Sequence, residues 1–437
     1  MSETIEQTAW RYSGALSALS ADERTSVLRR RGATTSPVRE ATEKIIARVR
    51  ADGDRALREM ALAYDGASLN DLEVPRAARR QALDAIAPEL RAALERAARN
   101  IGKVHAAFPP RTVEIETEQG VTVGRWPDPL ERVGIYAPGG RAAYASSVLM
   151  AAIPARVAGV SEIILCSPPQ SDGLPARVVL AACEIACVDR VFSVGGAGAI
   201  AAMAYGTETV PRVDRIVGPG NAYVAEAKLQ VSREVAIDSP AGPSELLVIC
   251  EAGCNADTIA REVVAQAEHD VDACVVVISR DDATASSIAN AVEQIVANAP
   301  RADVIREALE QRGALITEAS ITEAIAFANE FAPEHLLLAI DDPERVLPDV
   351  RNVGCVFIGE SSSVVFGDYI TGGNHVLPTG GLARSYSGLG PLDFVRWTSY
   401  QKVTPEAARR LARDTAILAA AEGLPAHESA ALAWSGQ

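Results

Sequence analysis

The sequence predicts an α/β fold with two parallel-sheet domains, an N-terminal arm and a small C-terminal helical domain. Three observations carry this prediction. From Glu131 onward, short apolar runs alternate with amphipathic stretches, as strands alternate with covering helices in a parallel sheet. The runs fall into two blocks that meet near Pro243. In the first block, glycine-rich loops follow the runs, at the place where Rossmann-like sheets turn into their helices.

In chain order, residues 1–24 read as a polar arm. From about Ser36 to Lys103, Ile45, Ile46 and Val49, then Leu57, Met60 and Tyr64, recur at three- and four-residue spacing, which predicts helix. Val113, Ile115 and Thr117, then Val121 and Val123, alternate around Gln119-Gly120 and predict a hairpin. The first block of strands is Val133–Tyr136, Ile163–Cys166, Val191–Val194 and Asp214–Val217. The second is Leu246–Cys250, Cys274–Ser279, Ala314–Thr317, Leu336–Ile340 and Cys355–Ile358. The chain is looser from Leu382 and helical from about Pro405 to Glu422. The expected division is an arm over 1–24, a first α/β domain from 25–130 with 244–381, a second over 131–243, and a helical tail over 382–437 used in dimerisation.

Composition excludes several classes. A chain of 437 residues with a net charge of −15 lacks the basic face that nucleic acid requires. Met1-Ser2-Glu3-Thr4-Ile5-Glu6 has no secretory pattern, and the apolar run Val148–Val160 is broken by Pro154 and Arg156. A cytoplasmic protein with no membrane segment is expected. The seven cysteines are odd in number and form no C-x-x-C, so they read as reduced core residues.

Three loops are candidates for a dinucleotide: Tyr136-Ala137-Pro138-Gly139-Gly140, Gly195-Gly196-Ala197-Gly198-Ala199-Ile200-Ala201, and Gly218-Pro219-Gly220-Asn221. The second contains G-x-G-x-x-A between a strand and a helix, although no acidic residue ends the next strand at the usual distance. Tight βα turns use glycine for their own reasons, so each loop alone is also read as a plain turn.

Gln266-Ala267-Glu268-His269-Asp270 closes a helical pattern built on Ala260, Val263 and Val264. Gln266 and His269 stand three apart, on one side of a helix. An amide oxygen and an imidazole together suit Zn²⁺, but such a pair also serves simply to solvate a helix end. Of the five histidines, His105 lies in an ordinary helical stretch, while His269, His335, His375 and His427 stand among polar or turn residues. Pro333-Glu334 ahead of His335 is also a common helix start, and Asp368 between Gly367 and Tyr369 is also a turn residue.

Six motifs in order resemble histidinol dehydrogenases. They are Tyr136-Ala137-Pro138-Gly139-Gly140, Gly218-Pro219-Gly220-Asn221, Ala241-Gly242-Pro243-Ser244-Glu245, Gln266-Ala267-Glu268-His269, Ala332-Pro333-Glu334-His335-Leu336, and Gly367-Asp368-Tyr369 through Asn374-His375. The resemblance implies a two-step, NAD-linked oxidation of L-histidinol to L-histidine through an aldehyde, with one zinc per subunit. It implies that Gln266, His269 and Asp368 are zinc ligands of one subunit, with His427 donated by the partner of a homodimer. It gives Glu334 and His335 the acid–base work. Ser244, His335 and Glu422 would hold the substrate, with the zinc ligands beside them. Tyr136 and Asn221 would contact NAD, and Gly198 stands where the family's NAD-contacting glutamine is expected. Competing expectations are a relative acting on another polar amino alcohol or diol, a zinc hydrolase that ignores NAD, and a non-catalytic metal-dependent dimer.

Overall fold

The computed structural model describes residues 9–30, 36–139, 143–240 and 242–436. Met1 to Glu6, Gly140 and Ala241, which figure in the sequence patterns above, lie outside the described residues. Among the described residues, no helix is long and apolar enough to cross a membrane.

The N-terminal segment is more than an arm. Its strand β1 (Tyr12–Ala15) adds to the edge of a sheet formed some 300 residues later, pairing in parallel with Gly313–Thr317. Helix α1 (Ala21–Leu28) starts at a capping box in which the Ser20 hydroxyl accepts from Glu23 N–H and the Glu23 carboxylate accepts from Ser20 N–H. Next come α2 (Ser36–Met60), α3 (Arg76–Ala85) and α4 (Pro88–Ala106), where the apolar spacing predicted helix. His105 is a core residue of α4.

The hairpin forms as β2 (Val113–Glu118) and β3 (Val121–Pro129), antiparallel across Gln119-Gly120. The first parallel block then runs β4 (Arg132–Tyr136), α5 (Ala145–Ala158), β5 (Glu162–Ser167), α6 (Arg177–Ile185), β6 (Arg190–Ser193), α7 (Gly196–Tyr205), β7 (Arg215–Val217), α8 (Ala222–Val231) and β8 (Ala236–Ile237). Its five strands lie in the order β6-β5-β4-β7-β8.

The second block runs β9 (Glu245–Cys250), α9 (Ala256–Ala267), β10 (Cys274–Ser279), α10 (Asp282–Val296), α11 (Ala302–Arg312), β11 (Gly313–Thr317), α12 (Ile321–Phe331), β12 (His335–Ala339), a short α13 (Pro343–Val346) and β13 (Cys355–Ile358). Its order is β1-β11-β10-β9-β12-β13. Both blocks thus place their strands in the relative order 3-2-1-4-5, with a reversal of direction beside the first strand. The chain ends with α14 (Val364–Tyr369), β14 (Val395–Val403), α15 (Pro405–Ala421) and α16 (Pro425–Leu432).

Alternation of side chains explains why both sheets are covered twice. Leu246, Val248 and Cys250 of β9 face α9, α10 and α11, while Leu247 and Ile249 face α12. In the other sheet, Val133 and Ile135 face α5 and α6, and Ile164, Cys166 and Phe192 face α7 and α8.

Two features differ from the expected division. Helices α2, α3 and α4 cover the five-stranded sheet, on α7 and α8, α6 and α5 respectively, so residues 36–106 do not belong with 244–381. Helix α2 turns Ile46, Val49, Leu57 and Met60 into that core because it meets the small, apolar surface of α7. The C-terminal region, in turn, is not purely helical. Its strand β14 pairs with β3 to complete a three-stranded antiparallel sheet, β14-β3-β2.

Candidate active site

The two parallel sheets meet with opposite ends. The C-terminal ends of β4, β6 and β7 face a cleft of about 1560 Å³, and so do the N-terminal ends of β9, β10 and β12. The cleft is thus lined by residues that follow strands in one sheet and by residues that precede or begin strands in the other. Ser244, Glu334 and His335 line the cleft from the beginnings of strands, together with His269, Asp368, Tyr136, Gly198 and Asn221.

Glu334 and His335 are tied to one peptide segment. The Glu334 carboxylate accepts from Ser244 Oγ at 2.7 Å and from the backbone N–H of Glu245 at 2.8 Å. The carbonyl of Glu245 lies 2.9 Å from His335 Nδ1. A carbonyl can only accept, so Nδ1 carries the proton and Nε2 keeps its lone pair. Nε2 stands 3.8 Å from Asp368 Oδ1. Burial raises the Glu334 carboxyl to about 8, against the lowering effect of its two hydrogen bonds. Burial lowers His335, more than nearby Asp368 raises it. Both groups are therefore mainly uncharged near neutrality.

Asp368 sits on α14, which α9 holds in place: Glu262 of α9 accepts from the backbone N–H of Val364 at 3.1 Å. Its carboxyl is raised to about 6 by burial. Gln266, one turn beyond Glu262, is buried and its Nε2 has no hydrogen-bond partner among the described residues. His269 is not on the helix. Helix α9 ends at Ala267, and His269 follows in a tight turn whose N–H donates to the Gln266 carbonyl at 3.3 Å. Burial and the neighbouring His335 lower its pKa.

His375, to which sequence reasoning assigned no role, lines the same cleft. Its Nδ1 donates to the carbonyl of Asp368 at 2.7 Å, its Nε2 lies 3.4 Å from Ser147 Oγ on α5, and burial takes its pKa down to about 4. Asn374 beside it donates to the Met150 carbonyl of α5 at 2.7 Å. The loop carrying Asp368 is thereby tied to helices of both sheets. The only signal for this in the sequence was that His375 stands among polar and turn residues close after Asp368.

Opposite, Tyr136 ends β4 and its hydroxyl accepts from Gly196 N–H at 3.1 Å. Burial holds its pKa up at about 12, so it remains a neutral phenol. Among the described residues no N-cap side chain closes helix α7 and only the Tyr136 hydroxyl meets its first N–H, and a Cβ on Gly196 (φ +60°) would meet nothing within 4 Å, so the helix N-terminus faces the cleft. That suits an anionic group such as a pyrophosphate. Helix α8 differs, because Asn221 caps it by accepting from Tyr223 and Val224 N–H. Gly218 (φ +117°) packs so closely that a Cβ would lie 2.2 Å from the Tyr136 carbonyl. Its N–H donates to Asp238 and its carbonyl accepts from Lys228, a buried ion pair that fixes the loop. Gly198 lies in the first turn of α7, where a Cβ would meet Met60 Sδ at 3.2 Å and Leu57 Cδ2 at 3.4 Å.

Glu422 and His427 are not brought into this cleft. Both are exposed, Glu422 at the end of α15 and His427 on α16. Among the described residues, no three His, Cys, Asp or Glu side chains cluster as a metal site. His269 and Asp368 are two such groups, and Gln266 adds an amide whose buried nitrogen has no partner among the described residues.

The family model for histidinol dehydrogenase matches residues 28–433. The chain belongs to the histidinol dehydrogenase family. Curated histidinol dehydrogenases of Methanosarcina barkeri and Pseudomonas aeruginosa are similar throughout. The first is 43% identical over 401 residues, 92% of each chain; the second is 46% identical over 390 residues, 89% of this chain and 88% of the relative. The solved histidinol dehydrogenase of Elizabethkingia anophelis superposes with a TM-score of 0.93 at 35% identity, covering 97% of this chain and 98% of the other. The protein is thus an oxidoreductase of the histidinol dehydrogenase family, with the α/β fold and parallel sheets that this similarity carries.

Proposed function

We propose that the protein oxidises L-histidinol to L-histidine through an aldehyde, passing two hydrides to two NAD⁺, in the last steps of histidine biosynthesis in the cytoplasm. The observation that carries this reading is the pairing of Glu334 and His335 on the Glu245 backbone, across a cleft from the N-terminus of α7. A neutral imidazole with a free Nε2 is suited to take the alcohol proton as hydride leaves. Beside it, the carboxylate form of Glu334, made a stronger base by the same burial that raises its pKa, would take a proton from the water that adds to the aldehyde in the second oxidation. Ser244 fixes that carboxyl through a hydrogen bond and stands where substrate would pass.

NAD⁺, when bound, accepts the hydride. Tyr136, the α7 N-terminus and the exposed amide of Asn221 are the groups suited to hold it. Zinc, when bound, acts as a Lewis acid and orients the substrate. Gln266, His269 and Asp368 would hold it: the unpaired Gln266 amide fits an oxygen ligand once turned, and both other groups are of the right chemistry. As the family resemblance implies, the fourth ligand would be the partner subunit's His427, with Glu422 of that tail reaching the substrate. The exposed apolar residues Ile417, Leu418, Leu424, Leu432 and Trp434 give the tail a surface for a homodimer. Such residues on a single chain are otherwise unexplained.

A second reading, oxidation of another polar amino alcohol on the same frame, is favoured only by Gly198, which offers no side-chain amide. The test is NADH formed per L-histidinol consumed by zinc-loaded protein. About two supports the full reaction, and about one means that the aldehyde escapes. None, with zinc bound, favours another alcohol or a hydrolase.

A further inference from the structure

Arg30 is buried beside the start of β9, 215 residues away in sequence from its main partner. Its Nε and Nη2 donate to the two carboxylate oxygens of Glu245 at 2.8 and 3.0 Å. The same Nη2 donates to the carbonyls of Phe331 and Ala332 at 2.8 and 3.3 Å, and the guanidinium lies 3.4 Å over the Phe331 ring. Glu245 Oε1 also accepts from Gly380 N–H at 2.8 Å. Arg30 thus grips two segments, one by a side-chain carboxylate and the other by its backbone carbonyls. One is Glu245, whose N–H holds Glu334 and whose carbonyl holds His335. The other is the Phe331-Ala332 turn that leads directly into Pro333-Glu334-His335, where Ala332 takes a left-handed conformation (φ +55°) that a residue with a Cβ rarely adopts.

A buried ion pair is a weak source of stability, because desolvating both charges offsets much of their attraction. Stability therefore does not explain why this pair is sited here, and its position does. We infer that the Arg30–Glu245 pair is a positioning device that sets the separation and orientation of Glu334 and His335 by anchoring the backbone on both sides of them. This rests on the acid–base reading above. Neither residue touches substrate in this role. A guanidinium is required because a lysine ammonium is a single point and cannot span both carboxylate oxygens and two carbonyls.

The test compares R30K and the double variant R30M/E245M with the unaltered, zinc-loaded protein. The double variant replaces both charges with apolar side chains and leaves the residue 245 backbone present, so it should stay folded, as judged by its melting temperature. Expected is a fall in kcat of about 10²-fold in the double variant, with KM for histidinol and NAD⁺ within about twofold, since misplacing catalytic groups by about 1 Å costs this much. R30K should fold and lie between the double and the unaltered protein. A second readout needs no turnover: the ¹⁵N shifts of the His335 ring should move from a fixed Nδ1–H tautomer toward averaging. Normal kcat in folded R30K and R30M/E245M, with His335 shifts unchanged, overturns the inference. So does a loss of kcat that tracks only a lowered melting temperature. E334Q is measured alongside: if it keeps full activity, the acid–base reading has failed. If it is slow while both Arg30 variants are normal, only the positioning role has failed.

Discussion

Burial acts in opposite directions on the two neighbours at the head of β12, holding a proton on Glu334 and removing one from His335. For oxidation of an alcohol that is a workable starting state, a free imidazole beside an uncharged carboxyl. The second oxidation needs the carboxylate, so Glu334→Gln should slow it more than the first, by about 10²-fold or more. Supplying the amino aldehyde directly isolates that step, and equal loss of both steps would sink the assignment. Asp65 is a different case. It lines the cleft near Gly195, burial raises its carboxyl to about 6, and no cation among the described residues pairs with it. The folded state therefore holds a proton between about pH 4 and 6 that the unfolded chain has released, so stability falls as pH rises through that window. Asp65→Asn should raise the melting temperature at pH 7, by a gain on the order of 1 kcal/mol after solvent screening, and should gain little at pH 4. A gain that persists undiminished at pH 4 would refute the cause. At this scale the sequence was uneven. Glu334-His335 was visible because the two are adjacent and flanked by Pro333. Arg30 was invisible, since an arginine near a polar arm carries no sign of a partner 215 residues away.

Most strands that were legible are buried and appear as unbroken apolar runs such as Leu246–Cys250, while the exposed β2 was read from its alternation instead. The ones missed are edges. Tyr-Ser-Gly-Ala of β1 and the two residues of β8 are too short or polar to stand out, and β14 carries Arg396, Thr398, Ser399 and Lys402 on an exposed strand. The covering of the five-stranded sheet by α2 could not be read either, since periodicity shows that a helix has an apolar face without showing what it meets. That contact gives Gly198 a second meaning. The glycine is where α2 closes on α7, so a glutamine there must displace Met60 or Leu57. Gly198→Gln should therefore lower unfolding free energy by about 1–3 kcal/mol in denaturant titration. Trimming Met60 to Ala in the same chain should cost less than the two changes made separately, because both act on one gap. Strict additivity would mean that the glutamine finds another way out, toward the cleft.

At the scale of the molecule, two sheets of the same strand order are set end to end. The glycine loops at the C-terminal edge of one thereby face the acid–base residues at the N-terminal edge of the other. This is why the candidate site draws on both blocks and on the loop from Asp368 to His375 between them. It also explains why the fold class could be read from pattern while the meeting of edges could not: strand order within a sheet follows from local connections, but the facing of two sheets does not. The cleft of one chain lacks Glu422 and His427, which lie on an exposed tail with uncovered Ile417, Leu418 and Trp434. If that tail completes a neighbour's site, loss of His269 and loss of His427 strike different subunits of the same site. His269→Asn and His427→Asn homodimers should each be inactive. In a dimer containing one subunit of each kind, one site carries both defects and the other carries neither. Random mixing by co-refolding should then restore about a quarter of normal activity, since half the dimers are mixed and each has one whole site of two. Zinc content should recover in the same proportion. Failure of the mixture to recover either activity or zinc would mean that each chain completes its own site, and that the exposed tail serves something other than its partner's chemistry.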